Sequence, residues 1–106
     1  MGAVEDVSLE EVKRGLADGS ILLIDVREDN EWAAGHIAGA VHNPLSRFDV
    51  DAIPKNSGKR VVFHCRSGKR TLQAIEQARI AGRTDLNTHF GGSMLAWEAA
   101  GEPLVR

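Results

Sequence analysis

The sequence is poor in cysteine, since Cys65 is the only one among 106 residues. A single cysteine cannot form an internal disulfide, which excludes the disulfide-stabilised class of secreted domains. Long apolar runs are also lacking, and no run approaches the roughly 20 residues that a membrane-spanning helix needs. The first six residues lack the basic and apolar regions of a secretory signal. We therefore expect a soluble, cytoplasmic protein.

Neither sign of charge dominates, because 13 Lys and Arg stand against 15 Asp and Glu for a net charge of −2. Such a balance provides no overall field for attracting nucleic acid or an anionic membrane, so neither is an expected partner. The length is typical of one domain that buries a core without metals or disulfides. We expect residues 1–106 to form a single domain.

Apolar runs and helical stripes alternate along the chain. A capping-box pattern at Ser8 and Glu11 predicts a first helix over 9–18. The remaining signals predict strands at 21–26, 40–43, 60–64 and 86–90, and helical segments at 28–34, 45–51, 71–81 and 93–100. The runs at 21–26 and 60–64 are almost continuously apolar, as is typical of strands covered on both faces. This alternation predicts an α/β fold in which a parallel sheet lies between layers of helices.

Several side chains and one turn have specific places in this predicted fold. Ser93 is expected to cap the last helix, because serine is a favoured N-cap residue. Trp32 and Trp97 are expected to anchor their helices in the core. Gly91 and Gly92 predict a turn close to the cysteine.

Cys65 directly follows the second buried strand and precedes a helix. Ligand sites of open parallel sheets lie beyond the carboxyl ends of the strands, so Cys65 has the position of a site residue. If residues 66–70 wrap around the sulfur, their amide hydrogens form an anion-binding nest. Arg66, Lys69 and Arg70 add positive charge, and such surroundings lower a thiol pKa from about 8.5 to roughly 3.5–7.5. The sequence therefore predicts a thiolate at neutral pH.

The alternative interpretations of the thiol are an inert core cysteine and a metal ligand. Free cysteines are often buried, but Gly68 lets the backbone turn where a side chain would obstruct it, and three cations are unusual beside a core residue. Zinc sites usually need three or four ligands, often at short paired spacing. The candidates here would be His36, His42, His64, His89 and Cys65. Their spacing disfavours a metal site, and we expect no metal and no cofactor.

Three blocks of sequence occur in a characteristic order. They are DVREDNEWAAGHIAGA from Asp25 to Ala40, CRSGKRT from Cys65 to Thr71, and GGSMLAWEAAGEP from Gly91 to Pro103. Together they resemble the single-domain rhodaneses, a family of sulfurtransferases. The resemblance implies a rhodanese-like three-layer α/β domain, with a central parallel sheet of about five strands and helices on both faces.

The resemblance also implies a reaction. In this family the cysteine attacks a sulfane sulfur, holds it as a persulfide and yields it to a thiophilic acceptor. Cys65 matches the nucleophile, and the matching substrate-binding loop consists of Arg66, Ser67, Gly68, Lys69 and Arg70. The implied donor is thiosulfate or a small persulfide. The implied acceptor is cyanide, glutathione or a protein thiol.

Charged residues of the first block match positions that mostly brace the scaffold in this family. They are Asp25, Arg27, Glu31 and His36, for which buried pairing or helix capping is the expected role. A catalytic role for Asp25 is disfavoured, because an acid beside a thiolate raises its pKa. His89 stands where relatives often carry another residue type, and it could face the rim of the site.

Two other functions remain as alternatives. Cysteine phosphatases and arsenate reductases of similar fold use Cys-x5-Arg, whereas Cys65 and Arg70 are spaced as Cys-x4-Arg and Thr71 stands where the phosphatase arginine would be. The shorter loop suits one sulfur atom and is tight for a tetrahedral oxyanion. The second alternative is a non-catalytic rhodanese-like binding or regulatory module, although such modules commonly lack the cysteine.

Overall fold

The computed structural model describes residues 3–106. Met1 and Gly2 lie outside the described residues; they are the first two residues of the segment that was searched for a secretory signal. Within this range, parallel pairing joins five strands: β1 (Glu5–Asp6), β2 (Ile21–Asp25), β3 (Val41–His42), β4 (Arg60–His64) and β5 (Thr88–His89). The helices of the same range are α1 (Leu9–Asp18), α2 (Asp29–Ala34), α3 (Arg70–Ile80) and α4 (Ser93–Ala99). The helical turn or two predicted over 45–51 are present as two 3-10 turns, Leu45–Arg47 and Val50–Ala52.

The sheet has the order β1-β5-β4-β2-β3, which puts β4 in the centre. Strands β2 and β4 pair along their whole length, from Ile21 opposite Arg60 to Asp25 opposite His64. Strands β3 and β5 are only two residues long and therefore shorter than predicted, and β1 was not predicted. The predicted parallel sheet of about five strands is confirmed.

Alternation along the strands divides the core into two layers. One face packs on α1 and α4 through Val12, Leu23, Val62, Met94 and Trp97. The other face packs on α3 through Ile24, Phe63, Ala74, Ala78 and Cys65. The buried residues of α3 are Thr71, Ala74, Ile75 and Ala78, so the stripe that faces the sheet consists mainly of small side chains. Helices cover both faces, which confirms the three-layer fold.

The capping box at the start of α1 is confirmed. The Glu11 amide donates to the Ser8 hydroxyl at 3.1 Å, and the Ser8 amide donates to the Glu11 carboxylate at 3.2 Å. Trp97 is buried as predicted. The prediction that Trp32 anchors the core is wrong, because α2 has no buried residue and the half-buried Trp32 ring instead stacks on two half-buried imidazoles.

The structure gives no sign of a membrane span. Within residues 3–106, no helix is both long enough and apolar enough to cross a bilayer.

Candidate active site

Cys65 lies immediately beyond the carboxyl end of the central strand, where β4 passes into a loop that leads to α3. We refer to residues 65–70 as the cysteine loop. The residue is 1% exposed and packs in the core layer on the α3 side of the sheet. Because β4 pairs with β2 on one side and β5 on the other, Cys65 follows directly on a strand that is hydrogen-bonded on both sides.

Main-chain amides of the cysteine loop and of Thr71 lie near the sulfur. The Gly68 amide donates a hydrogen bond to Cys65 Sγ at 3.1 Å. Burial alone would raise the pKa of the Cys65 thiol, but hydrogen bonds from the amides of Thr71, Gly68, Ser67 and Arg70 outweigh it and hold the pKa below its ordinary value. The wrapped loop expected from the sequence is therefore present, and it favours the thiolate.

The three cations of the cysteine loop have different surroundings. Arg66 and Lys69 are exposed. The Arg70 guanidinium is half-buried and donates to both carboxylate oxygens of Glu31, at 2.6 and 2.9 Å. These hydrogen bonds raise the pKa of Arg70 and lower the pKa of Glu31 to about 2. Since Glu31 compensates the charge of Arg70, the loop amides carry more of the thiolate stabilisation than the sequence suggested.

Gly68 is required by the shape of the cysteine loop. Its φ is +89°, in the left-handed region that favours glycine. A Cβ at this position would overlap the carbonyl oxygen of Gly91. Gly91 is itself held by Asp6, whose carboxylate accepts from the Gly91 amide at 2.8 Å. The turn predicted at Gly91 and Gly92 thus lies against the cysteine loop.

Replacing Gly68 by Ala is expected to displace the loop amides from the sulfur. The new Cβ must push away either the loop or the Gly91 turn, and the left-handed backbone adds strain, so the free energy of unfolding should fall by about 1–3 kcal/mol. The thiol pKa, measured from the pH dependence of iodoacetamide alkylation, should rise toward that of a free cysteine.

Gly58→Ala is the matched control for this substitution. Gly58 has a φ of +78°, but a Cβ there meets nothing within 4 Å. It therefore shares the backbone strain without the overlap. If the two variants gave the same alkylation profile as the wild type, the assigned role of Gly68 would be wrong.

A buried ion pair lies at the end of β2, beside the cysteine strand. The Asp25 carboxylate accepts from the Arg27 amide at 2.9 Å and from the Arg27 guanidinium at 2.9 to 3.1 Å. Arg27 also donates to the Gly35 carbonyl oxygen at 2.8 Å, which ties the end of α2 to this pair. Asp25 and Arg27 are 0% and 5% exposed. Their geometry is that of scaffold residues, and neither hydrogen-bonds to the sulfur within the described residues.

His64 is fully buried next to Asp25, on the opposite face of β4 from Cys65. Burial lowers the pKa of His64 and therefore favours the neutral imidazole, whose Nε2 lies 3.5 Å from the Asp25 carboxylate. Its Nε2 has no hydrogen-bond partner within the described residues.

The two other histidines of interest lie in different parts of the fold. His36 stacks on Trp32 at 3.6 Å between ring centroids and pairs its main chain with Val105, which places it on the scaffold beyond α2. His89 is buried, and whether it faces the rim of the site stays a prediction. Its Nδ1 lies 2.7 Å from the Thr71 hydroxyl, which donates to the Gly68 carbonyl oxygen at 2.9 Å. His89 is therefore linked to the cysteine loop through the Thr71 hydroxyl.

The prediction that Ser93 caps α4 is wrong. The N-cap of α4 is Gly92, and Ser93 is the first residue of the helix. Its hydroxyl accepts a hydrogen bond from the Cys65 amide at 3.1 Å instead of capping α4. Serine is common at helix starts, and nothing in the local sequence distinguishes these two roles.

A cleft of about 290 Å³ adjoins the cysteine loop at Arg66, lined by parts of α2 and α4. Across residues 3–106, no group of three or more His, Cys, Asp or Glu side chains is arranged to hold a metal ion.

Comparison with known proteins identifies the family. The family model described as a rhodanese-like domain matches residues 8–100. The chain belongs to the rhodanese-like family. This rhodanese-like chain is 36% identical over 105 residues to human thiosulfate:glutathione sulfurtransferase, with 86% of this chain and 91% of that protein covered. It is 39% identical over 87 residues to the uncharacterized protein slr1261 of Synechocystis; the match covers 82% of this chain and 48% of that protein, so the chain spans about half of that relative.

A solved rhodanese-like structure agrees with the fold described above. The human single-domain sulfurtransferase TSTD1 superposes with a TM-score of 0.73 at 35% sequence identity, covering 92% of this chain and 97% of that one. The family resemblance inferred from the three sequence blocks is confirmed.

Proposed function

We propose that this rhodanese-like protein is a sulfurtransferase that carries a sulfane sulfur on Cys65. The observation that carries the proposal is the cysteine loop, in which main-chain amides lower the pKa of a buried thiol. The thiolate is the nucleophilic form of cysteine, so this loop prepares the group for attack on sulfur. The names of the human relative and of the human structural neighbour point to the same chemistry.

Thiosulfate is the proposed donor, with small persulfides as alternatives. The Cys65 thiolate attacks the sulfane sulfur, the sulfur–sulfur bond of thiosulfate breaks, and sulfite leaves with the electron pair. Cys65 then holds a persulfide whose outer sulfur is negatively charged. The amides of Ser67, Gly68, Arg70 and Thr71 are positioned to stabilise this charge as an oxyanion hole would, because they are preorganised and partly shielded from water.

The acceptor restores the enzyme. A thiolate attacks the outer sulfur, the persulfide bond breaks, and its electron pair returns to Cys65 as the thiolate, so no external oxidant or reductant is required. Glutathione is the proposed acceptor, by similarity to the human relative. Cyanide and protein thiols are the alternatives. A cytoplasmic location stays a prediction from the sequence.

The exposed Arg66 and Lys69 are proposed to attract the anionic donor. Arg70 is less available, because both of its terminal nitrogens donate to the Glu31 carboxylate, which also compensates its charge. The same pairing disfavours the phosphatase alternative, in which the loop arginine must bind the phosphate. The amides of Ser67 and Gly68 remain as donors to the bound sulfur.

The test is sulfur uptake measured by intact mass. The protein is incubated with thiosulfate and weighed before and after reductant, with protein blocked by iodoacetamide as the control. We expect a gain of one sulfur atom that reductant or glutathione removes and that the blocked protein does not show. Hydrolysis of an aryl phosphate without sulfur uptake would favour the phosphatase. Absence of both reactions in folded protein would favour the binding module.

A further inference from the structure

Ser93 adopts a backbone conformation that costs energy for a serine. Its φ is +51°, in the left-handed region where glycine is relaxed and other residues are strained. The residue is fully buried, so its hydroxyl is not simply solvated. A glycine would fit the backbone better, and the hydroxyl is the group that a glycine would lack.

The hydroxyl of Ser93 joins two main-chain groups at the site. It donates to the Phe90 carbonyl oxygen at 2.7 Å and accepts from the Cys65 amide at 3.1 Å. It also lies 4.0 Å from Cys65 Sγ, at the outer limit of a hydrogen bond to sulfur. The Phe90 oxygen accepts from the Ser93 amide as well, at 3.1 Å. The Ser93 proton can therefore turn toward the sulfur without leaving that carbonyl unpaired.

The start of α4 is attached to the cysteine loop at two further points. The Met94 amide donates to the Cys65 carbonyl oxygen at 3.0 Å, and the Leu95 amide donates to the Arg66 carbonyl oxygen at 3.0 Å. Together with the Ser93 hydroxyl, these bonds fix both the amide and the carbonyl of Cys65. The sulfur is thus oriented from α4 as well as from its own loop.

We propose that Ser93 is a positioning residue, which fixes the main chain of Cys65 and turns its hydroxyl to the sulfur when the sulfur is negatively charged. The inference rests on the proposed function, since it concerns the same sulfur. Replacing the hydroxyl removes a neutral donor and leaves the surrounding charged and titratable side chains in place. These are Asp25, Glu31, His64, Arg66, Lys69, Arg70 and His89.

The test compares Ser93→Gly and Ser93→Ala with the wild type. Thiolate formation is followed by ultraviolet absorbance against pH, and alkylation by iodoacetamide is timed at neutral pH. We expect the titration to move to higher pH in both variants. Alkylation should slow by about tenfold, the effect of losing one charge-assisted hydrogen bond. The Tm of Ser93→Gly should change little, because relief of backbone strain offsets the lost bond.

Asn56→Gly is the matched control, because it relieves a similar φ of +56° at an exposed turn. Only variants with a native circular dichroism spectrum are compared. One folded Ser93 variant, Ser93→Gly or Ser93→Ala, is enough to decide the test. An unchanged titration in a folded Ser93 variant would overturn the inference, even if its Tm fell, since that result indicates a purely structural role. A wild type that takes up no sulfur would defeat the proposed function, while the thiolate titration would still decide the role of Ser93.

Discussion

Cys65→Ser is expected to abolish sulfur uptake from thiosulfate completely. Because Cys65 is the only cysteine of the chain, no second thiol can replace it. A serine hydroxyl is not ionised near neutral pH and cannot form a persulfide. Intact mass after incubation with thiosulfate measures the result, with a native circular dichroism spectrum as the check on folding. A reducible gain of sulfur in Cys65→Ser would contradict the proposed reaction.

The same substitution should also change how stability depends on pH. The pKa of Cys65 is lower in the folded chain than in the unfolded chain, where a thiol has a pKa of about 8.5. The thiolate therefore contributes stability that is fully present above the unfolded pKa and is lost as pH falls through the folded pKa. Urea unfolding of both proteins should show a wild-type advantage that grows with rising pH. A difference independent of pH would show that the loop does not favour the thiolate.

Asp25→Ala is expected to cause the largest loss of stability outside the cysteine loop. The substitution leaves the buried Arg27 guanidinium without its counter-charge, and breaking such a pair costs about 3–5 kcal/mol. Since small domains have about 5–15 kcal/mol in total, a large fraction of the protein should be unfolded or easily unfolded. Urea unfolding monitored by tryptophan fluorescence measures the change.

Two further variants serve as controls for the Asp25→Ala prediction. Asp25→Ala combined with Arg27→Met should recover part of the loss, because no unpaired buried charge remains. Glu76→Gln removes an exposed pair with Arg79 on α3 and should leave the Tm almost unchanged. Equal losses from Asp25→Ala and Glu76→Gln would show that burial of the Asp25 pair does not matter.

The centre of the fold was predictable because burial on both faces leaves a clear pattern. Strands β2 and β4 appear in the sequence as continuous apolar runs, and α3 as a stripe of small residues. Strand β1 gave no such signal. It consists of Glu5 and Asp6, both exposed, and it pairs with β5 over these two residues alone.

The local part of the candidate site was also predictable, whereas its long-range part was not. Cys65 and Gly68 are neighbours in sequence, so the turn and the nest follow from residue types. Arg70 pairs with Glu31 at a separation of 39 residues, and Ser93 bonds to Cys65 at a separation of 28. The sequence around Arg70 does not indicate Glu31 as its partner, and the sequence around Cys65 does not indicate Ser93. The charge expected near the sulfur was therefore overestimated, and the hydroxyl behind it was missed.

The surroundings of Trp32 were also not predictable from its neighbours in sequence. A tryptophan on a helix next to a buried strand is usually a core residue. Here α2 has only six residues and none of them is buried. The Trp32 ring instead stacks on the rings of His36 and His42.

The bond between Asp6 and Gly91 has a practical consequence for anyone who shortens this chain. The family match begins at residue 8, which makes that position an obvious place to cut. Such a cut would delete an edge strand and also the carboxylate that holds the turn pressed against Gly68. We expect a chain trimmed at residue 8 to keep the four remaining strands and to show a higher thiol pKa at Cys65, so a shortened protein should retain the residues before the family boundary.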